Sequence, residues 1–178
     1  LGRRWRGLAT SALSSVALRE LSEPELPGDQ WVRVRPSMAG ICGSDLATIT
    51  AKGSPYLAPL TSMPFVLGHE VVGVVTEIGG DVNRVEAGDR VVLQPALGCA
   101  VRGIDPPCAQ CEAGSPALCR NVTRGNISAG IQTGFCRDTG GGFSGGFVAH
   151  QSQLYLVPAA LTDRAAVLIE PFSCALHG

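Results

Sequence analysis

The hydrophobic and polar positions of this chain alternate in short runs. Gln30 to Arg35 reads QWVRVR, in which Val32 and Val34 alternate with Arg33 and Arg35, the period-two pattern of a half-buried strand. Upstream, SVALRE at 15–20 predicts another strand, while MAGICGSD after the first run predicts a glycine-marked loop. Residues 46–64, rich in Thr, Ser, Gly and Pro, read as an exposed loop. VVGVV and RVVL are β-branched and apolar, so they predict buried strands, with EIGGD and EAGDR as turns. Residues 94–130 show little periodicity, and GGFVAHQSQLYLVP predicts two short strands. From Thr162 the pattern changes: Thr162 suits a helix cap, Asp163 its first turn, and Pro171 is expected to interrupt or kink it. Many short strands followed by one helix, without internal repeats, predict a mainly-β, barrel-like domain.

Composition narrows the choice. The chain has 178 residues, enough for one domain with a real core. Its 23 glycines and 12 prolines fit turns and short strands better than long helices. Fourteen basic and fifteen acidic residues leave a net charge of −1, which gives no footprint for nucleic acid or an anionic membrane surface. No apolar run approaches the roughly 20 residues that span a bilayer. The first residue is Leu1, as expected of a processed form or an incomplete reading frame. Arg3, Arg4 and Arg6 ahead of GLATSALSSVAL imitate an export leader, but Thr10, Ser11, Ser14 and Ser15 break its apolar stretch. Residues 1–15 are therefore read as a ragged start, and a cytoplasmic location is expected.

Seven cysteines are an odd number for a disulfide framework, and four of them crowd between 99 and 119. Cys108, Cys111 and Cys119 follow C-x2-C-x7-C, a strong zinc signal; four closed thiolates make a structural site with no open position. Cys136 and Cys174 have no spacing partner and read as structural. A second donor set is Cys42, His69, Glu70 and Glu170. Zinc takes thiolate, imidazole and carboxylate ligands, and a catalytic site keeps one position open. Cys42 and His69 both fall at loop-to-strand junctions, where side chains can converge on a cleft.

The motifs around these residues are longer than single positions. GICGSD at 40–45, GHE at 68–70, AGDRVV at 87–92 and LIEPFSCALHG at 168–178 resemble the medium-chain zinc-dependent alcohol dehydrogenases, notably the sorbitol- and threonine-dehydrogenase-like branch. The resemblance runs from about residue 16 to the end. It implies a GroES-like, partly open β-barrel over 16–160, a zinc lobe at 95–125, and a linker helix at 161–178 leading toward a Rossmann domain missing from this chain. It also implies roles: Cys42 and His69 as ligands of a catalytic zinc, and Glu70 as a ligand or as a neighbour that exchanges with bound water. Glu170 takes the further ligand slot, with Cys174 as its weaker rival. Ser44 becomes the proton-relay hydroxyl and Asp45 the carboxylate that orients His69, a bond that fixes the imidazole tautomer.

The family's lobe reads C-x2-C-x2-C-x7-C, and here its first position is Asp105. The fourth ligand is then Cys99 or Asp105; Cys99 is preferred because four soft thiolates suit zinc and RGIDPP reads as an insertion that lets Cys99 fold back. TGGGFSGG contains Gly140, Gly142 and Gly145 in a G-x-G-x-x-G pattern, yet no buried strand precedes it and a strand, not a helix, follows. It is rejected as a dinucleotide fingerprint. NAD or NADP is thus expected on the missing domain, and these 178 residues alone are expected to be inactive. The substrate class is a small alcohol, polyol, aldehyde or ketone, and the full-length protein is expected to form a homo-oligomer. Two rivals stay open: a non-enzymatic zinc module using only the 99–119 cluster, and a zinc-free quinone-reductase relative, against which the Cys42, His69, Glu70, Glu170 combination argues.

Overall fold

The strongest alternation in the chain becomes its central strand. In the computed structural model, which describes residues 14, 16–53 and 55–177, β1 spans Trp31–Ala39. It pairs antiparallel with β2, Val71–Ile78, from Val32 opposite Ile78 to Ala39 opposite Val71. Register shifts at Arg33/Val34 and Pro36/Met38 sharpen the local twist. β3 (Arg90–Leu93), β4 (Phe147–His150) and β5 (Leu154–Leu156) complete a five-stranded antiparallel sheet in the order β4-β1-β2-β3-β5. The architecture is mostly sheet, curled into a half-barrel.

Successive side chains leave the sheet on opposite faces, and both faces are covered. Val32, Val34, Val71, Val75, Val91, Leu93, Phe147 and Leu154 share the main core. Val72 and Val92 point the other way, onto Val157, Ala166 and Val167. Trp31 and Val148 pack under the cysteine-rich lobe with Leu97, Val101, Ile127 and Cys136. This double cover explains why VVGVV and FVAH are apolar at nearly every position.

Several expectations need correction. Residues 16–20 are not a strand: Leu18 is fully exposed, and no sheet edge receives them. Arg33 instead fastens the neighbouring segment, donating to the Pro24 carbonyl at 2.8 Å and pairing with Glu23 at 3.2 Å. The expected loop at 38–45 is shorter, because Met38 and Ala39 extend β1 and α1 begins at Gly43. α1, Gly43–Ile49, also enters the stretch read as an exposed loop, which holds a 3-10 turn at Pro55–Leu60 as well. After the short α2, Ala109–Glu112, in the cysteine-rich lobe, the single terminal helix is two: α3, Asp163–Ala166, capped by the Thr162 hydroxyl, and α4, Ile169–His177. The break falls before Pro171, which sits in the first turn of α4, where a missing N–H is tolerated. Arg90 ties β3 to this corner through Asp163 at 2.6 Å and the Leu161 carbonyl at 2.7 Å. The supposed ragged start at 1–15 lies outside the described residues apart from Ser14. Among the described residues, no helix is long and apolar enough to cross a membrane.

Candidate metal centres

Cys42 is the N-cap of α1, and Asp45 at the third helical position accepts the Cys42 backbone N–H through Oδ2 at 2.9 Å. This half of a capping box fixes the direction in which the Cys42 thiol leaves the loop. Asp45 is wholly buried, and its other oxygen accepts from the Gly68 N–H at 3.4 Å. One carboxylate therefore joins the two loops that carry Cys42 and His69. Gly68 holds φ at +96°, a left-handed geometry that costs glycine least, and a Cβ there would lie 2.8 Å from the Phe143 nitrogen. The crowding comes from a short ladder: Gly142 donates to the Gly68 carbonyl at 2.8 Å and Phe143 to the Leu67 carbonyl at 3.0 Å. The rejected glycine motif thus braces the His69 loop and feeds β4, with no helix after it.

His69 is buried, with Nδ1 at 3.6 Å from Asp45 Oδ1 and Nε2 at 3.4 Å from Ser44 Oγ. Among the described buried side-chain polar atoms, Nδ1 is the one that makes no hydrogen bond. Donor atoms of Cys42, His69 and Glu70 all lie within 4.8 Å of one another. Gly40 makes room for the third, since a Cβ there would run into the Glu70 carboxylate, while the Gly40 N–H donates to the Glu70 carbonyl at 2.8 Å. Ser44 is exposed at the mouth of the site. Glu170 is not part of this group. It lines the same cavity, of about 610 Å³, from the first turn of α4, where Cys174 donates to its Oε1 at 3.4 Å. Burial raises the Cys174 thiol pKa first, and the Glu170 bond and the Cys42 and Glu70 charges add to it.

The second cluster gathers Cys99, Cys108, Cys111 and Cys119, whose sulfurs also fall within 4.8 Å of one another. Cys99 Sγ lies 3.7 Å from Cys119 Sγ and accepts the Cys108 N–H at 3.3 Å; Cys111 Sγ accepts the Cys99 N–H at 3.3 Å. None of these cysteines is in a disulfide. Cys99 is buried among the thiols, whereas Asp105 stands exposed on the loop between them. Backbone N–H groups of Arg120 and Cys111 pull the Cys108 thiol down to about 6, while burial pushes Cys111 up to about 12. Four sulfurs this close, with N–H donors aimed at them, are a donor set able to hold a metal ion.

Sequence reasoning missed the groups around these centres. Arg102 is wholly buried beside the thiol cluster, its guanidinium donating to the carbonyls of Leu97, Arg124, Ile127, Ser128 and Gly130. Nothing in VRGID marks that arginine as internal. Phe65 and Phe135, on the cavity wall, lay in stretches with no usable period.

Residues 28–159 match the alcohol dehydrogenase GroES-like domain family. The chain is 31% identical over 161 residues to sorbitol dehydrogenase of Halalkalibacterium halodurans, covering 90% of this chain and 40% of that protein. It is 30% identical over 173 residues to (R,R)-butanediol dehydrogenase of Saccharomyces cerevisiae, covering 89% and 43%. The crystal structure of galactitol-1-phosphate dehydrogenase from Escherichia coli superposes with a TM-score of 0.69 at 26% identity, covering 90% of this chain and 40% of that one. The chain therefore spans about two-fifths of the length of these relatives. With its curled sheet, its GICGSD and GHE loops joined by Asp45 and its cysteine cluster, the chain belongs to the medium-chain alcohol dehydrogenase family, as its GroES-like N-terminal domain.

Proposed function

We propose that this chain is the catalytic-domain part of a zinc-dependent alcohol or polyol dehydrogenase that passes hydride to NAD or NADP held on a further domain. The observation that carries the reading is the convergence of Cys42, His69 and Glu70, with the buried His69 Nδ1 turned to Asp45. Thiolate, imidazole and carboxylate are donors zinc accepts, and three of them leave a position for substrate. Asp45 Oδ1, 3.6 Å from Nδ1, is placed to favour the proton on that nitrogen, which would leave Nε2 free for a metal. Glu170, on the wall of the same cavity, is the proposed further ligand, with Glu70 then exchanging with bound water so that one position stays open. The four-cysteine cluster would hold a second zinc with a structural role.

Zinc in such a site supplies Lewis acidity, which lowers the pKa of an alcohol oxygen. The protein's own groups do the rest. Ser44 Oγ takes the proton leaving the alcohol and passes it to water at the exposed mouth. The cavity wall excludes water from the reacting carbon and orients it toward the nicotinamide. A small alcohol, polyol, aldehyde or ketone is the proposed substrate class. Metal counting by plasma mass spectrometry tests the reading: two zinc ions per chain are expected, falling to one in Cys42→Ser. A single zinc that Cys42→Ser retains and Cys111→Ser loses would mean a zinc-binding module without the enzymatic site.

A further inference from the structure

We infer that this cavity selects a neutral alcohol bearing an alkyl or aryl substituent, and discriminates against both free polyols and phosphorylated ones; the inference rests on the dehydrogenase reading of the same site. Its first support is what the wall is made of. Leu57 and Ala58, from the turn after α1, and Met63 just beyond it line the cavity with Ile131, Phe65 and Phe135. The two phenyl rings pack with centroids 5.2 Å apart at 37°, and Phe135 reaches the His69 imidazole, 6.0 Å away at 52°. The aromatic wall therefore begins at the proposed metal ligand itself. The substituent on the reacting carbon would lie against phenyl rings, not against hydrogen-bonding groups.

The second support is what the polar lining already does. Thr48 Oγ1 donates to the Ser44 carbonyl at 2.9 Å, and Thr61 Oγ1 to the Ala58 carbonyl at 3.2 Å. Both hydroxyl donors are thus committed within the chain. Ser44 is assigned to the proton path, so among these lining side chains the amide of Gln132 is left as the donor for the further hydroxyl oxygens of a polyol. A hydroxyl buried without a partner loses its hydration and gains nothing. The third support is charge. Among the described residues lining the cavity there is no Lys or Arg. A phosphate dianion would enter with no side-chain cation to pair with it.

The test uses the full chain loaded with cobalt(II), whose visible absorption reports the metal's ligands. Spectra of wild type and Cys42→Ser first identify the bands of the Cys42 site. Benzyl alcohol, sorbitol and galactitol 1-phosphate are then titrated, with paramagnetic relaxation of the ligand protons placing each one relative to the metal. Benzyl alcohol should perturb the Cys42-dependent bands at a concentration at least about tenfold below the other two. Phe65→Ser and, separately, Leu57→Ser should weaken benzyl alcohol by about tenfold while the ligand-free cobalt bands stay unchanged. Sorbitol or the phosphate ester binding as tightly as benzyl alcohol would overturn the substrate inference and leave the metal reading standing. Both variants binding benzyl alcohol like wild type would also overturn it. Identical spectra from wild type and Cys42→Ser would overturn the metal reading, and the inference with it.

Discussion

Replacing Arg102 by methionine keeps an unbranched apolar stem, shorter by two atoms, and removes every donor. The wild-type guanidinium reaches Leu97 at 2.9 Å, Arg124 at 2.8 Å, Ile127 at 3.3 Å and Ser128 at 3.4 Å, together with the Gly130 carbonyl. It therefore clamps the loop that carries Cys99 to the 124–130 loop across from it. Burial lowers its pKa, and the electrostatic influence of Cys136, Cys119, Cys99 and Asp138 opposes that. Hydrogen bonds to a charged group contribute about 1.5–3 kcal/mol each, and buried carbonyls left without donors cost about 1–3 kcal/mol. Counting the three shorter bonds and crediting back the desolvation that methionine avoids, the loss should be about 3–5 kcal/mol. For a chain of this size, that shifts the thermal midpoint by about 6–20 °C. Denaturant melts of the zinc-loaded protein give the free energy, and metal analysis shows whether the thiol cluster still holds its ion. Arg102→Lys should recover less than half of the loss, because an ammonium cannot span carbonyls arranged for a planar fork. A loss below about 1 kcal/mol for Arg102→Met, with a slope equal to wild type, would refute the clamp.

Three further outcomes follow from the same geometry. Gly40→Ala should displace the Glu70 carboxylate and weaken cobalt binding at the Cys42 site, with the four-thiolate bands unchanged and stability within about 1 kcal/mol of wild type. Asp45→Asn replaces an acceptor that serves the Cys42 and Gly68 N–H groups, so metal affinity at the Cys42 site should fall by about 10–100-fold in a chelator competition. His150, bonded to Gln30 at 2.9 Å and Ser152 at 2.8 Å, has its pKa lowered by burial and then by the Arg84 charge. It stays neutral in the fold while the unfolded chain takes up its proton near pH 6.5, so its contribution is complete above about 6.5 and is lost as pH falls toward the lowered folded value. Thermal melts from about pH 7.5 to about pH 5.5 should show that decline, and His150→Gln should flatten it.

How legible each part was depended on whether its cause is local. β1, β2 and β3 announce themselves because alternation and β-branching act residue by residue. SVALRE carries the same kind of pattern, yet its described residues 16–20 pair with no strand, so local pattern without a partner does not make one. α1 was hidden because its cap is a cysteine and its first turn opens on Gly43 and Ser44, which read as a loop; the Asp45 carboxylate that completes it was read for its role toward His69 alone. The Cys42, His69 and Glu70 neighbourhood could be anticipated from motifs, and the thiols from their spacing. Glu170 shares their cavity but stands outside the cluster, on an exposed helix whose position no local pattern dictates. The aromatic wall and the Arg102 clamp arise only when loops distant in sequence meet, so composition and period carried no trace of them.

The strand order β4-β1-β2-β3-β5 has a kinetic corollary. β1, β2 and β3 form a meander from neighbouring segments, whereas the other edge of β1 must wait for β4, which is made after the whole cysteine-rich excursion. Such non-local pairing is slow, and until it happens the Trp31–Val34 edge is open to association with other chains. A metal that gathers Cys99 to Cys119 shortens the effective loop between β3 and β4, and so lowers the entropy cost of closing the sheet. If the cluster holds zinc as proposed, zinc supply during synthesis would govern how much of the chain reaches the native state, before any question of catalysis arises.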